Sequence, residues 1–111
     1  MASAAAKTVL VPLGNGTEEM EAVTIIDVMR RAGAKVTVAS VESDLTVTCS
    51  RDIKIVADEL ISQAADRQFD LIVLPVRTEA CMTACTELVS DHGNQQIFVT
   101  LFRVVPQVLK L

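Results

Sequence analysis

The chain has 111 residues, a net charge of −4 and 50% hydrophobic residues, which is enough for one compact domain with an apolar core. Its 10 basic and 14 acidic side chains are spread along the sequence, so no basic stripe favours nucleic acid as a partner. No apolar run approaches the roughly 20 residues that span a bilayer, and three cysteines with one histidine form no zinc motif, so we expect neither a membrane span nor a metal.

The sequence begins with the pattern strand, helix, strand. Residues 7–13 are a short apolar run, typical of a strand that is buried on both faces of a parallel sheet. Residues 17–32 predict a helix that ends at Gly33. Its apolar residues recur at helical spacing and are Met20, Val23, Ile26, Val28 and Met29. Residues 35–40 are rich in β-formers, so the order is that of one βαβ unit.

The middle of the chain predicts an edge ribbon and a third strand of the sheet. Residues 46–49 and 53–56 are two short β-rich runs around a tight turn, which favours a ribbon outside the main sheet. Asp58 is suited to cap a short helix that runs to about Ala65, and residues 70–75 form another apolar strand. These elements predict an α/β domain with a parallel sheet.

We divide the chain into an N-terminal extension, residues 1–6, a domain, residues 7–75, and a divergent tail, residues 76–111. The extension lacks the apolar centre of a secretory signal and the arginines of a transit peptide. We therefore expect a cytoplasmic protein, with the nucleus and the plastid as alternatives. In the tail, residues 79–90 have weak helical periodicity and residues 96–105 predict a strand.

The turn between the first strand and the helix contains two glycines followed by three glutamates. A dinucleotide-binding turn would have its third glycine at Glu19, and the neighbouring Glu18 and Glu21 place negative charge where a phosphate would bind. This pattern argues against a nucleotide, and we expect no cofactor.

Two interpretations of these acids remain. In the first, Thr17 or Gly16 caps the helix and the acids stabilise its positive end. In the second, Glu21, which has apolar neighbours, lies in the crevice at the carboxyl ends of the strands. A carboxyl group held there in its protonated form would donate a hydrogen bond to a nucleophile or substrate.

Five segments together resemble the ThiJ/PfpI superfamily, in its DJ-1-type deglycase and glyoxalase-like branch that includes plant members. The segments are residues 7–13, 16–23, 27–39, 49–52 and 69–75. The resemblance covers residues 7–75, with the segments in the order and spacing of the family. It implies a flavodoxin-like parallel sheet with helices on both faces, usually in a dimer, and a reactive cysteine on a strained strand-to-helix turn.

The resemblance also assigns roles to single residues. Glu21 matches the family glutamate that hydrogen-bonds the reactive cysteine, and Cys49 matches a secondary, redox-active thiol. The reactive cysteine itself should follow a later strand in an elbow of the Ala-Ile-Cys-Ala type, which this sequence does not contain. At Val76 and Arg77 the family has two glycines that help to bind the oxyanion.

The tail offers poor replacements for the missing nucleophile. Cys81 and Cys85 would share one face of a helix, but no glycine-rich elbow precedes them and no base is placed beside them by sequence. His92 lies in a polar turn, so we expect it to be exposed. We interpret residues 1–75 as the front half of a family domain, joined at Val76 to sequence from alternative splicing or a shifted reading frame.

The resemblance implies a glyoxalase or deglycase that uses a cysteine and no cofactor. Its substrates would be small reactive aldehydes such as methylglyoxal, and the resemblance also implies a role among oxidative-stress proteins. Because the nucleophile elbow is missing, we expect weak or no turnover. The alternative is a non-catalytic, truncated or splice-form interaction protein of the same family, which forms a homodimer through its first helix.

Overall fold

A computed structural model describes residues 6–75 and, by their backbone alone, residues 96–100. The elements in these ranges are, in chain order, β1 (Thr8–Leu13), α1 (Glu19–Arg31), β2 (Lys35–Ser40), β3 (Thr46–Thr48), β4 (Lys54–Val56), β5 (Glu59–Leu60), α2 (Ile61–Ala64), β6 (Leu71–Pro75) and β7 (Gln96–Thr100). Residues 76–95, which include Val76, Arg77, Cys81, Cys85, His92 and the predicted helix 79–90, lie outside the described part of the chain.

The main sheet has five parallel strands in the order β5-β2-β1-β6-β7. β1 is central and pairs with β2 along its whole length, from Thr8 opposite Lys35 to Leu13 opposite Ser40. β7 pairs in parallel with β6, so the predicted strand 96–105 is confirmed in its first five residues. β3 and β4 form a separate antiparallel ribbon, as predicted.

The core has two layers, one on each face of the sheet. Val9, Val11 and Leu13 of β1 face the layer of α1, because successive side chains of a strand point to opposite faces. Leu10 faces the other layer, where it joins Ala64 of α2. The predicted flavodoxin-like architecture, with helices on both faces of a parallel sheet, is confirmed.

Helix α1 buries one stripe and exposes the rest. Ala22 is fully buried, and Ile25, Ile26 and Met29 pack beside it against the sheet. The predicted helix is confirmed, but three apolar residues of its pattern lie on the side away from the sheet: Met20, Val23 and Val28 are 63%, 53% and 55% exposed. They fall outside the buried stripe because each is rotated about 100° or more away from Ala22 and Met29 around the helix axis.

The end of α1 follows the pattern predicted by Gly33. This glycine has φ +89°, its N–H donates to the Arg30 carbonyl at 3.1 Å, and the Ala34 N–H donates to the Met29 carbonyl at 3.1 Å. These two bonds form a Schellman motif, which requires a left-handed residue where glycine is favoured.

The prediction that Asp58 caps a helix is wrong. Its carboxylate instead accepts a hydrogen bond from the Val38 N–H at 2.8 Å and contacts Arg30 at 3.5 Å. The following residues, Glu59–Leu60, pair with β2 as a short edge strand, so α2 begins later and is a single turn. Residues 59 and 60 therefore pair with β2 at the place where the sequence predicted the first turn of a helix.

The amino ends of β1 and β6 are joined by side-chain hydrogen bonds. The carboxylate of Asp70 accepts from the Thr8 N–H at 2.8 Å and from the Thr8 hydroxyl at 3.2 Å. The Thr8 hydroxyl in turn accepts from the Asp70 N–H at 3.1 Å. The bond from the Thr8 N–H and, to a smaller extent, the bond from the Thr8 hydroxyl lower the pKa of Asp70 below its ordinary value of 3.8.

We expect Leu10→Ala to lower the free energy of unfolding by about 2 to 5 kcal/mol, because Leu10 is fully buried and its removal leaves a cavity between β1 and α2. Urea denaturation followed by circular dichroism measures this change. Leu45→Ala is the matched control: Leu45 is 38% exposed, so the loss should be at most about 1 kcal/mol. Equal losses in the two variants would contradict the assigned core.

We expect the stabilising effect of Asp70 to depend on pH. Because its pKa is lower in the folded protein, the stabilisation is complete above the ordinary value of 3.8 and is lost as the pH falls through the folded value. The difference in unfolding free energy between the wild type and Asp70→Asn should therefore shrink below about pH 3.8. Asp66→Asn removes an exposed carboxylate and is the control; a constant Asp70 difference from pH 7 to pH 2 would contradict the prediction.

Candidate functional site

The turn between β1 and α1 is closed by Thr17. The Thr17 hydroxyl donates to the Gly14 carbonyl at 2.7 Å and accepts from the Gly14 N–H at 3.0 Å. Thr17 is only 1% exposed, and Gly16 has φ +87°, which suits a glycine. Thr17 therefore shapes the turn and does not cap the helix.

Glu18 is the residue that caps α1, which corrects our assignment of the cap to Thr17 or Gly16. Its carboxylate accepts from the Met20 N–H at 3.3 Å and from the Glu21 N–H at 2.9 Å. These are two of the N–H groups that the first turn of a helix leaves unpaired. A phosphate approaching this helix end would meet the Glu18 carboxylate already bound there, so the geometry does not resemble a phosphate-binding loop.

Glu19 is buried and binds the turn of the ribbon. Its carboxylate accepts from the Ser50 hydroxyl and from the Arg51 N–H, both at 2.9 Å, although it is only 4% exposed. Burial acts to raise the pKa of Glu19, but hydrogen bonds from its own N–H, Ser50 and Arg51, together with the Arg51 charge, lower the pKa below its ordinary value of 4.5. Glu19 is therefore an anion at neutral pH.

The ribbon contacts the β1–α1 turn through its backbone as well. The Gly16 N–H donates to the Thr48 carbonyl at 2.9 Å, and the Ser50 N–H donates to the Thr17 carbonyl at 2.9 Å. At the tip of the ribbon Asp52 has φ +64°, a left-handed conformation that aspartate tolerates better than most residues. The β1–α1 turn and the ribbon are therefore one connected structure.

Cys49 lies at the turn of the ribbon, and its thiol is buried. It is 3% exposed and belongs to the apolar cluster that contains Ala22 and Val47. Burial, followed by the charges of Glu19 and Glu18, raises the pKa of Cys49 above its ordinary value of 9.0. Its thiol is therefore protonated at neutral pH and shielded from solutes. Its assignment as a secondary redox thiol stays a prediction.

Glu21 is 5% exposed in the first turn of α1, at the carboxyl end of β1. Loops at this edge of a parallel sheet open into the crevice where α/β proteins bind ligands. The structure therefore places Glu21 in a desolvated position at the expected edge. Its role as the acid of a catalytic site stays a prediction.

Sequence reasoning missed Glu19, which we had assigned to the charge at the helix start. The signal that could have revealed it is the polar turn between the two ribbon strands, with Ser50 and the N–H of Arg51 available to a buried carboxylate. Its partner Ser50 is 31 residues away in the sequence, so helical spacing gives no indication of the contact.

Three further findings concern a pocket, a possible metal site and membrane-spanning helices in the described part of the chain. A pocket of about 470 Å³ lies at the opposite edge of the sheet, among Lys7, Met29, Gly33 and Asp70, and shares no residue with the β1–α1 turn. Within residues 6–75, no three His, Cys, Asp or Glu side chains come together as a metal site. Neither described helix is long and apolar enough to cross a membrane.

The DJ-1/PfpI family model matches residues 7–97, which is most of the chain. The chain belongs to the DJ-1/PfpI family. The predicted membership is thus confirmed, and the DJ-1/PfpI match continues past Pro75, where the sequence resemblance was expected to stop. The domain boundary at that residue, and the origin of residues 76–111, stay predictions.

Two curated DJ-1 proteins illustrate the similarity. Protein DJ-1 homolog A of Arabidopsis thaliana is 58% identical over 69 residues, which are 62% of this chain and 18% of that protein. Protein dj-1beta of Drosophila melanogaster is 49% identical over 69 residues, 62% of this chain and 37% of that protein. The chain thus spans less than two fifths of the length of either relative.

Solved DJ-1 structures share the fold. Oxidized Toxoplasma gondii DJ-1 superposes with a TM-score of 0.79 at 40% identity, covering 85% of this chain and 55% of that one. Drosophila melanogaster DJ-1beta gives a TM-score of 0.77 at 37% identity, covering 85% and 54%. The chain therefore shares the fold of these DJ-1 structures over 85% of its length.

Proposed function

We propose that this chain is a DJ-1-type protein related to cysteine-dependent glyoxalases and deglycases, with Glu21 as the acid of the site and with catalysis impaired. The observation that supports this best is that the structure buries an acid at the ligand-binding edge, whereas the thiol it describes is unsuited to attack an aldehyde. Glu21 is 5% exposed at the edge where α/β proteins bind ligands, whereas Cys49 is 3% exposed and has a raised pKa.

The chemistry requires a thiolate at the same edge as the acid. The thiolate attacks the aldehyde carbon of an α-oxoaldehyde, which gives a hemithioacetal, and a nearby carboxyl group donates and accepts the protons. Cys49 does not meet this need, because its thiol is protonated at neutral pH and lies within the apolar cluster of α1.

The sequence after β7 supports the same conclusion. The family elbow is expected after a strand that follows β6, and β7 is the strand that pairs with β6 on its outer side. The residues that come next are Leu101, Phe102 and Arg103, and no cysteine occurs after Cys85. We therefore propose that methylglyoxal and similar aldehydes are at most slowly converted. The cytoplasm stays the predicted location.

We expect purified protein to form no more lactate from methylglyoxal than the buffer alone, because Cys49, the one cysteine within residues 6–75, is buried and has a raised pKa. Lactate is measured enzymatically for the wild type, for Glu21→Gln, and for the separate alanine variants of Cys49, Cys81 and Cys85. Circular dichroism of each protein establishes that it is folded. Turnover that is abolished by Glu21→Gln and by one cysteine variant would overturn the proposed impairment and identify the nucleophile.

A second candidate function, an interaction protein that forms a homodimer, is favoured by the outer surface of α1. Met20, Val23 and Val28 expose more than half of their surface there, and the Arg31–Asp27 ion pair at 3.1 Å lies on the same side. Exposed apolar residues on one side of a helix, with polar residues beside them, are typical of a protein–protein contact.

We expect the protein to sediment as a dimer and Val28→Lys to shift it to the monomer, because a buried lysine charge in an apolar contact is strongly unfavourable. Sedimentation velocity over a range of concentrations measures the shift. Ser62→Lys adds the same charge at an exposed position of α2, on the other face of the sheet, and should leave the dimer intact. A monomeric wild type at all concentrations would contradict the proposal.

A further inference from the structure

The ribbon, defined as residues 46–56, depends on contacts outside itself. It consists of two strands joined by three residue pairs and forms no strand pairing with the main sheet among the described residues. A two-stranded ribbon of this size is marginal on its own in water. The position of the ribbon is therefore set by its contacts with the β1–α1 turn and with α1.

One face of the ribbon is apolar and buried, and the other is exposed. Val47 is fully buried and Cys49 is 3% exposed, and both pack in the cluster that contains Ala22 of α1. On the outer face Val56 is 68% exposed. The thiol of Cys49 is thus covered because the ribbon lies against α1, and separation of the two would bring it into contact with water.

The charged carboxylate of Glu19, on α1, holds the turn of the ribbon by hydrogen bonds. Its buried carboxylate accepts hydrogen bonds from the Ser50 hydroxyl and the Arg51 N–H, both at 2.9 Å. Other charged or titratable groups around it are Glu18 on the helix side and Cys49 and Arg51 on the ribbon side. The positive charge of Arg51 favours the anionic form of Glu19. Glu18 and Cys49 carry no positive charge that could compensate the Glu19 carboxylate.

We propose that Glu19 is a positioning residue that fastens the ribbon to α1 and thereby keeps the Cys49 thiol out of water. Because a hydrogen bond to a charged group is stronger than one between neutral groups, loss of the Glu19 charge weakens both bonds to the turn at once. The ribbon then opens as a local unit while the main sheet stays folded, as is common for elements with few buried contacts.

Hydrogen exchange and thiol labelling test this proposal together. The background carries Cys81→Ala and Cys85→Ala, so that Cys49 is the one thiol of the chain. Into it we place Glu19→Gln, which keeps the shape and removes the charge, and Ser50→Ala, which removes one bond and keeps the charge. Asp27→Asn removes a carboxylate from the exposed side of the same helix and is the matched control.

We expect the Gly16 and Ser50 N–H groups to exchange about tenfold faster or more in Glu19→Gln, the factor that corresponds to loss of one charged hydrogen bond. Ser50→Ala should show a smaller increase, and Asp27→Asn none. Maleimide labelling of Cys49 at pH 7 should accelerate in the same order. Exchange at Val11 and Ile72, in the main sheet, should stay at the wild-type rate.

Three outcomes would overturn the proposal. Faster labelling of Cys49 with unchanged exchange at Ser50 would mean that Glu19 acts on the thiol through its charge alone. Equally faster exchange at Val11 and Ile72 would mean that the whole domain is destabilised. Unchanged exchange in both Glu19→Gln and Ser50→Ala would mean that the ribbon is held without this carboxylate. If Glu19→Gln does not fold, Ser50→Ala and Asp27→Asn decide the same question.

Discussion

Burial of β1 on both faces is the constraint on which the rest of the structure depends. Leu10 points to the layer of α2, and Val11 to the layer of α1, and both are fully buried. A strand in this position has little freedom to shift its register, because a shift of one residue would exchange its two faces. The carboxyl end of β1 is therefore fixed, and with it the turn closed by Thr17 and the start of α1.

From this fixed turn, three neighbouring glutamates reach three environments. Glu18 caps the helix, Glu19 binds the ribbon, and Glu21 is buried at the crevice edge. The rotation of about 100° per residue in a helix separates their directions. Like charges so close in sequence are tolerated because Glu18 and Glu19 each accept hydrogen bonds from N–H groups, which stabilise a carboxylate.

The sequence predicted the elements whose signals are local. The apolar run of β1 and the glycine that ends α1 were sufficient for the βαβ unit, and the paired β-rich runs were sufficient for the ribbon. Features that depend on distant residues were missed. Asp58 binds a strand N–H 20 residues away, and Glu19 binds a turn 31 residues away, so neither partner lies within a helical or strand window.

The candidate site was predictable in part, for the same reason. The position of Glu21 follows from the strand-to-helix turn, because the carboxyl ends of parallel strands meet at one edge of the sheet. The exposure of Met20, Val23 and Val28 did not follow, because helical spacing identifies apolar residues but does not fix which stripe contacts the sheet. Only the packing of Ala22 and Met29 against β1 and β2 decides that.

The parallel order of the strands also bears on the role proposed for Glu21. β1, β6 and β7 are neighbours in the sheet and run in the same direction, so the carboxyl end of β7 lies at the same edge as Glu21. Cys49 approaches from the ribbon, is covered by it, and has a thiol pKa raised by burial and by two carboxylates. The same burial that makes Cys49 a stable part of the core makes it a poor nucleophile. The proposed catalytic role of Glu21 would therefore call for a thiol after β7, where this sequence has Leu101, Phe102 and Arg103.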